Sequence, residues 1–181
     1  MTNPVRPGGS WVHAPPGAPP QVALAPVCPM VGSNTLNGMT SPWICLPPRW
    51  RRTSDPSRGV VVAARAPEVP GSGVRPELVL RRVPVSDDLD TWRGGAASEL
   101  ATRLDDFELE DEDRFELGGH EVAYRRFAHR AALDDLVCDQ WAWLVDGQGL
   151  TLTCTVARED YADYCDVFEA IAETFDAALV P

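Results

Sequence analysis

Leu136-Val-Cys-Asp-Gln-Trp-Ala-Trp-Leu-Val145, followed by Asp146-Gly-Gln-Gly149 and then Leu150-Thr-Leu-Thr-Cys-Thr-Val156, reads as two strands joined by a turn. In the second strand Leu150, Leu152, Cys154 and Val156 alternate with Thr151, Thr153 and Thr155, the period-two pattern of a strand with one buried face. The first strand carries Trp141 and Trp143 on one face and Cys138, Gln140 and Leu144 on the other, since successive side chains of a strand point to opposite sides.

Upstream, Phe107–Leu117 alternates loosely and ends at Gly118-Gly119, a hairpin signal, and Val122, Tyr124 and Ala128 mark one face of the strand that follows. Three earlier segments read as strands: Trp43-Ile-Cys-Leu46, closed by Pro47-Pro48; Val60-Val-Val-Ala-Ala-Arg65; and Glu77-Leu-Val-Leu-Arg-Arg-Val83. Between them and the hairpin the period changes. Leu89, Trp92, Ala96, Leu100 and Leu104 recur at steps of three and four over residues 87–104, which predicts a helix. Ser86, Asp87 and Asp88 supply its cap, and Gly94-Gly95 weakens it by roughly 1 kcal/mol each relative to Ala. Tyr161, Tyr164, Phe168, Ile171, Phe175 and Ala178 predict a second amphipathic helix over about 160–179. The sum is an α+β fold: an antiparallel β-sheet of about six to seven strands packed with two amphipathic helices, both expected against one sheet face.

Residues 1–40 are rich in Pro and Gly, with runs such as Ala14-Pro-Pro-Gly-Ala-Pro-Pro20, and cannot bury enough apolar area to offset ordering. The expected organisation is therefore a disordered tail over 1–40 and a single domain over 41–181. The sixteen basic residues are all Arg, the mark of a GC-rich genome. The net charge of −11 is unevenly spread. Residues 1–59 hold five Arg against one acid, and residues 60–181 hold eleven Arg against twenty-six acids. Nucleic-acid affinity comes mainly from neutralising phosphates, so so acidic a body excludes nucleic acid and favours a protein partner. No stretch approaches the ~18 apolar residues of a membrane span, and the N-terminus lacks a secretory apolar region. The expected location is cytoplasmic, without membrane insertion.

The order of these segments resembles the PsbP-like superfamily, which takes in LpqN-type and DcrB-type proteins, the Eag chaperones of type VI secretion and a Ran-binding nuclear import factor. The likeness spans roughly residues 41–180. Pro47-Pro48-Arg49-Trp50 is similar to that family's Pro-x-Gly-Trp pattern, with Arg49 where glycine is common. Arg75-Pro-Glu-Leu-Val-Leu80 looks like its third strand, Gly118-Gly-His-Glu-Val122 its central hairpin, Trp141 to Val156 its closing pair, and Phe168, Ile171 and Phe175 its last helix. The resemblance implies no shared active site; members mostly bind other proteins, as adaptors or chaperones.

Chemical motifs are sparse. Five cysteines at wide, irregular spacings with no C-x-x-C point away from a zinc site or a disulfide scaffold. The acidic run Asp105–Asp113 lacks the glycine-centred loop of a calcium site and reads as a charged sheet edge. No cofactor or metal is implied. His120 or His129 with Glu121, or with Cys138 or Cys154, would be the minimum for acid–base or thiol chemistry, without a nucleophile elbow to go with it. The expected function is thus non-enzymatic protein binding, as an adaptor or secretion-chaperone-like domain. A binder of a small apolar ligand, or a small hydrolase, is the alternative. The candidate partner-binding residues are Arg49, Trp50, Arg51 and Arg52, a cationic cluster around an aromatic, and Trp141 and Trp143, which line a groove if no helix covers them.

Overall fold

The computed structural model describes residues 43–180; the expected tail over 1–40, with Trp11, His13 and Cys28, lies outside them. Seven strands form one antiparallel sheet: β1 (Arg51–Asp55), β2 (Val60–Arg65), β3 (Glu77–Pro84), β4 (Asp105–Leu117), β5 (His120–Ala131), β6 (Asp134–Val145) and β7 (Gln148–Ala157). Their order across the sheet is β1-β2-β3-β7-β6-β5-β4. Two meanders thus meet where β3 pairs with β7, from Glu77 opposite Thr155 to Pro84 opposite Gln148. Helix α1 (Leu89–Arg103) carries the chain from the middle of the sheet at β3 to the far edge at β4. Helix α2 (Tyr161–Glu173) follows β7.

The hairpins are where the glycines placed them. Gly118 and Gly119 turn β4 into β5, and Asp146-Gly147 turns β6 into β7, all four at positive φ, the conformation that two-residue hairpins demand. Asp88 caps α1 by accepting a hydrogen bond from the Thr91 amide at 2.7 Å. The helix runs unbroken through Gly94-Gly95.

Three expectations need correction. Trp43–Leu46 is not a strand; the first strand is β1. Trp43 and Ile44 are apolar because they are buried, not because they pair in the sheet. Their segment is tied to the far end of α2, where the Cys45 amide donates to Thr174 Oγ1 (2.9 Å) and the Asp176 amide donates to the Trp43 carbonyl (2.9 Å). β1 itself, Arg-Arg-Thr-Ser-Asp, is an edge strand exposed along most of its length, so no apolar alternation announces it. Arg49, just before β1, has φ +69°, a left-handed conformation suited to glycine. That is the position where the resembling pattern carries one.

The helices also lie on opposite sheet faces. Cross-strand partners share a face, so Trp141, Trp143, Leu150, Leu152, Leu80 and Val62 form one surface. Phe168, Ile171, Ala172 and Phe175, from α2 and the turn after it, join them in the main core. On the other surface Ala123 and Ala142 pack with Leu89, Trp92 and Leu144, which is the α1 side. Finally, α2 ends at Glu173 rather than near 179. The Thr174 hydroxyl donates back to the Ile171 carbonyl at 2.8 Å, and a short 3-10 turn over Ala177–Leu179 follows. Phe175 stays buried through that break, which is why the apolar period ran past the helix. Among the described residues no helix is long and apolar enough to cross a membrane.

Candidate functional site

Four places in the fold gather polar or reactive groups. The first is a cleft of about 460 Å3 between α1 and the β4–β5 hairpin, lined among others by Asp90, Arg93, Glu112, Arg114 and Arg125. Arg93 stands on the buried side of α1, four residues after Leu89, and Arg125 stands on β5 beneath it; they are only 4% and 2% exposed. Arg93 donates through Nη2 to Gln140 Oε1, and Gln140 Nε2 in turn donates to Thr153 Oγ1 at 2.8 Å. Arg125 Nη2 donates to the Arg93 carbonyl at 2.8 Å and lies 3.6 Å from Glu112 Oε1. Arg93 Nε and Arg125 Nη1 are buried without a hydrogen-bond partner. Burial, together with the neighbouring Arg125 and Arg114, pulls the Arg93 guanidinium below the ordinary arginine range. Arg114 is held by Asp90 at the rim.

The second is a polar clamp on the opposite face. The buried Asp139 carboxylate accepts from the Tyr124 hydroxyl at 2.6 Å, from the Tyr161 hydroxyl at 3.0 Å and from Arg126 Nε at 3.2 Å. Arg126 also lies over the Tyr161 ring, 4.8 Å from its centre. Burial and Asp139 raise both phenols above the ordinary tyrosine value. Every group here has a partner, so the clamp fastens the start of α2 to β5 and β6.

The third and fourth are the two sheet edges. β1, with Arg51 and Arg52 exposed, forms one. Arg49 pairs with Glu68 at 3.4 Å, both well exposed, and Trp50 packs half-buried against the core. The Arg52 guanidinium sits 5.8 Å from the Trp43 ring centre. The opposite edge is β4, whose thirteen residues carry eight carboxylates against the single Arg114.

Other candidates disperse. Trp141 and Trp143 are 3% and 0% exposed; with α2 and Phe175 over them, Trp143 packs 4.5 Å from the Phe175 ring. They are core and present no groove to a partner, which corrects their reading as binding residues. His120 and His129 stand nine residues apart on β5, a spacing that puts them on opposite faces and about 30 Å apart. His129 shares its face with Phe127, ring centres 6.3 Å apart. Cys138 and Cys154 also point to opposite faces. Burial pushes the Cys138 thiol up to about 12 and the Cys154 thiol well above its ordinary value, the reverse of a reactive cysteine. Among the described residues no His, Cys, Asp and Glu side chains cluster as a metal site.

Sequence reading missed Arg93, Arg125 and Asp139. Each had a faint signal: an Arg four residues after Leu89 on the apolar helix face, an Arg between Tyr124 and Phe127, and a lone acid between Cys138 and Trp141.

No protein-family model and no curated protein matches the chain. Solved structures do. LpqN of Mycobacterium tuberculosis, described as involved in cell envelope biogenesis, superposes with a TM-score of 0.58 at 17% identity, covering 72% of this chain and 79% of that one. A protein of unknown function from Pseudomonas aeruginosa gives 0.58 at 14% identity, over 72% and 88%. Cyanobacterial PsbP from Synechocystis gives 0.54 at 13% identity, over 79% and 97%. At these identities the likeness concerns architecture, and together with the seven-stranded antiparallel sheet and its two helices it shows that the chain has the PsbP-like fold.

Proposed function

We propose that the protein is a non-enzymatic adaptor that holds protein partners at the two open edges of its sheet. The observation that carries this reading is the opposite charge of those edges: β4 is strongly acidic, and the Arg49–Arg52 end is basic. An edge strand offers a row of unpaired backbone groups, and a partner segment in extended conformation adds to it as a further strand. On β4 the chemistry selects a basic segment. At β1 the exposed Arg51 and Arg52, with Arg49 and Trp50 beside them, select an acidic one. Charge of this kind sets orientation and encounter rate more than final affinity. The adaptor reading is preferred to a chaperone of apolar segments because the tryptophan face that such a role requires is filled by α2. It is preferred to a hydrolase because the histidines and cysteines stand apart.

The test is capture from host lysate by the immobilised full chain, followed by cross-linking and mass spectrometry. Two variants accompany the wild type: Glu108→Gln with Asp111→Asn and Asp113→Asn on β4, and Arg51→Glu with Arg52→Glu on β1. Basic partners lost only with the first variant and acidic partners lost only with the second are the expected result. A folded wild type that captures nothing, or captures the same proteins as both variants, defeats the reading.

A further inference from the structure

The cleft under α1 holds two neighbouring guanidiniums in a place where burial of charge is costly. A buried arginine is ordinarily matched by a carboxylate in fork-to-fork geometry. Here Arg93 lies over the Trp92 ring, 5.2 Å from its centre, and donates only to the neutral Gln140 oxygen, and Arg125 has a single loose carboxylate, Glu112, at 3.6 Å, whose own side chain is 51% exposed. Arg114 stands at the rim, paired with Asp90. Two charges against one distant carboxylate leave a positive surplus, and two N–H groups of these side chains have nothing to bond. Removing that surplus takes one more carboxylate, or a better placed one.

We infer that this cleft is a binding site for a monoanionic carboxylate, received by Arg93 and Arg125 after Glu112 swings aside. The planar guanidinium fork accepts carboxylate and phosphate alike, and it is the acidic rim of Asp90 and Glu112 that disfavours dianions such as phosphate or sulfate. Glu112 then marks the ligand's place: it is the chain's own carboxylate, lying at the guanidinium of Arg125 on a half-exposed side chain. The site is separate from the sheet-edge contacts proposed above, and its occupancy needs no protein partner. The carboxylate belongs either to a free small acid or to a peptide C-terminus.

The arginine Nε–H signals of the full chain in 15N NMR read the site directly, during titration with sodium acetate at constant ionic strength. A saturating shift of the Arg93 signal is expected, absent with sulfate and phosphate. Gly-Gly-Gly and its C-terminal amide separate the sources: a tripeptide that saturates at lower concentration than acetate, with an inert amide, assigns a peptide terminus, and a tripeptide no better than acetate assigns a free acid. Glu112→Gln, with its fold checked by the amide spectrum, is expected to tighten acetate several-fold by removing the competing carboxylate. Arg93→Gln is expected to abolish the saturating shift that acetate produces at the Arg125 signal in the wild type. Linear shifts shared by all anions, saturation by phosphate as readily as by acetate, or a folded Glu112→Gln chain that binds acetate no better than wild type would each overturn the assignment.

Discussion

The two faces of the sheet bury comparable polar chemistry and treat it differently. Under α2, a single buried carboxylate, Asp139, is met by two phenols and an arginine, on the sheet face that also carries the core of Trp141, Trp143, Phe168 and Phe175. Under α1, two buried arginines share one distant carboxylate, and the apolar contact shrinks to Leu89, Trp92, Ala123, Ala142 and Leu144. A satisfied network fixes one arrangement, and a partly satisfied one is a standing cost. The α2 face therefore holds the fold, and the α1 face is the one the protein can open at little loss.

The sharpest way to break this comparison is Trp143→Ala. Trp143 is fully buried on the α2 face, and its truncation is expected to cost about 4 kcal/mol in urea denaturation; a loss no larger than that of any α1-side change would dissolve the distinction. Gly149→Ala tests the other face. A Cβ there would stand 2.6 Å from the Trp92 ring and 2.7 Å from Val85 Cγ2, so the Trp92 ring of α1 and the Val85 side chain must give way, at about 2 kcal/mol. Hydrogen exchange should then show α1 amides losing protection while α2 amides keep theirs. Equal loss in both helices would mean that the faces melt as one unit. The smallest effect is expected from Tyr161→Phe, which removes one hydrogen bond to Asp139 and costs about 1 kcal/mol at neutral pH. It also alters the alkaline limb. Burial and Asp139 raise the Tyr124 and Tyr161 phenols in the folded chain, whereas unfolded tyrosine ionises near pH ~10. Above that pH the unfolded chain releases protons that the folded chain retains, so stability falls as pH rises. The decline should be shallower in Tyr161→Phe, and an unchanged slope would remove the clamp from the account.

Period and turn chemistry made most of the architecture readable. β7, β6 and the hairpin glycines follow from alternation and positive φ, and α2 follows from its apolar stripe. What failed to read was whatever lacked a period. β1 is polar on both sides because it is an edge. Trp43 and Ile44 are apolar because a loop is pinned under the core. The placement of α1 and α2 on opposite faces depended on β5 and β6 being buried on both sides, which shows in Ala123 and Ala142 only once the register is known. The cleft was least legible of all, because a buried arginine resembles a surface arginine in sequence, and only the pairing of α1 with β5 brings Arg93 to Arg125. Arg49 lies at the other extreme: the resemblance marked its position as one for glycine, and its φ of +69° supplies the reason.

The tie between Trp43 and Asp176 has a consequence for how this domain can be wired to other polypeptide. Entry at residue 43 and exit after the α2 turn lie side by side, so the described unit is a closed loop in the topological sense. A unit of that kind can be spliced into a surface turn of a host protein without prying the host's two strand ends apart, because both junctions leave from one spot. The same closure permits the chain to be reopened elsewhere, and the tip at Ala132-Leu133, where Leu133 is 97% exposed, is the natural place for new ends.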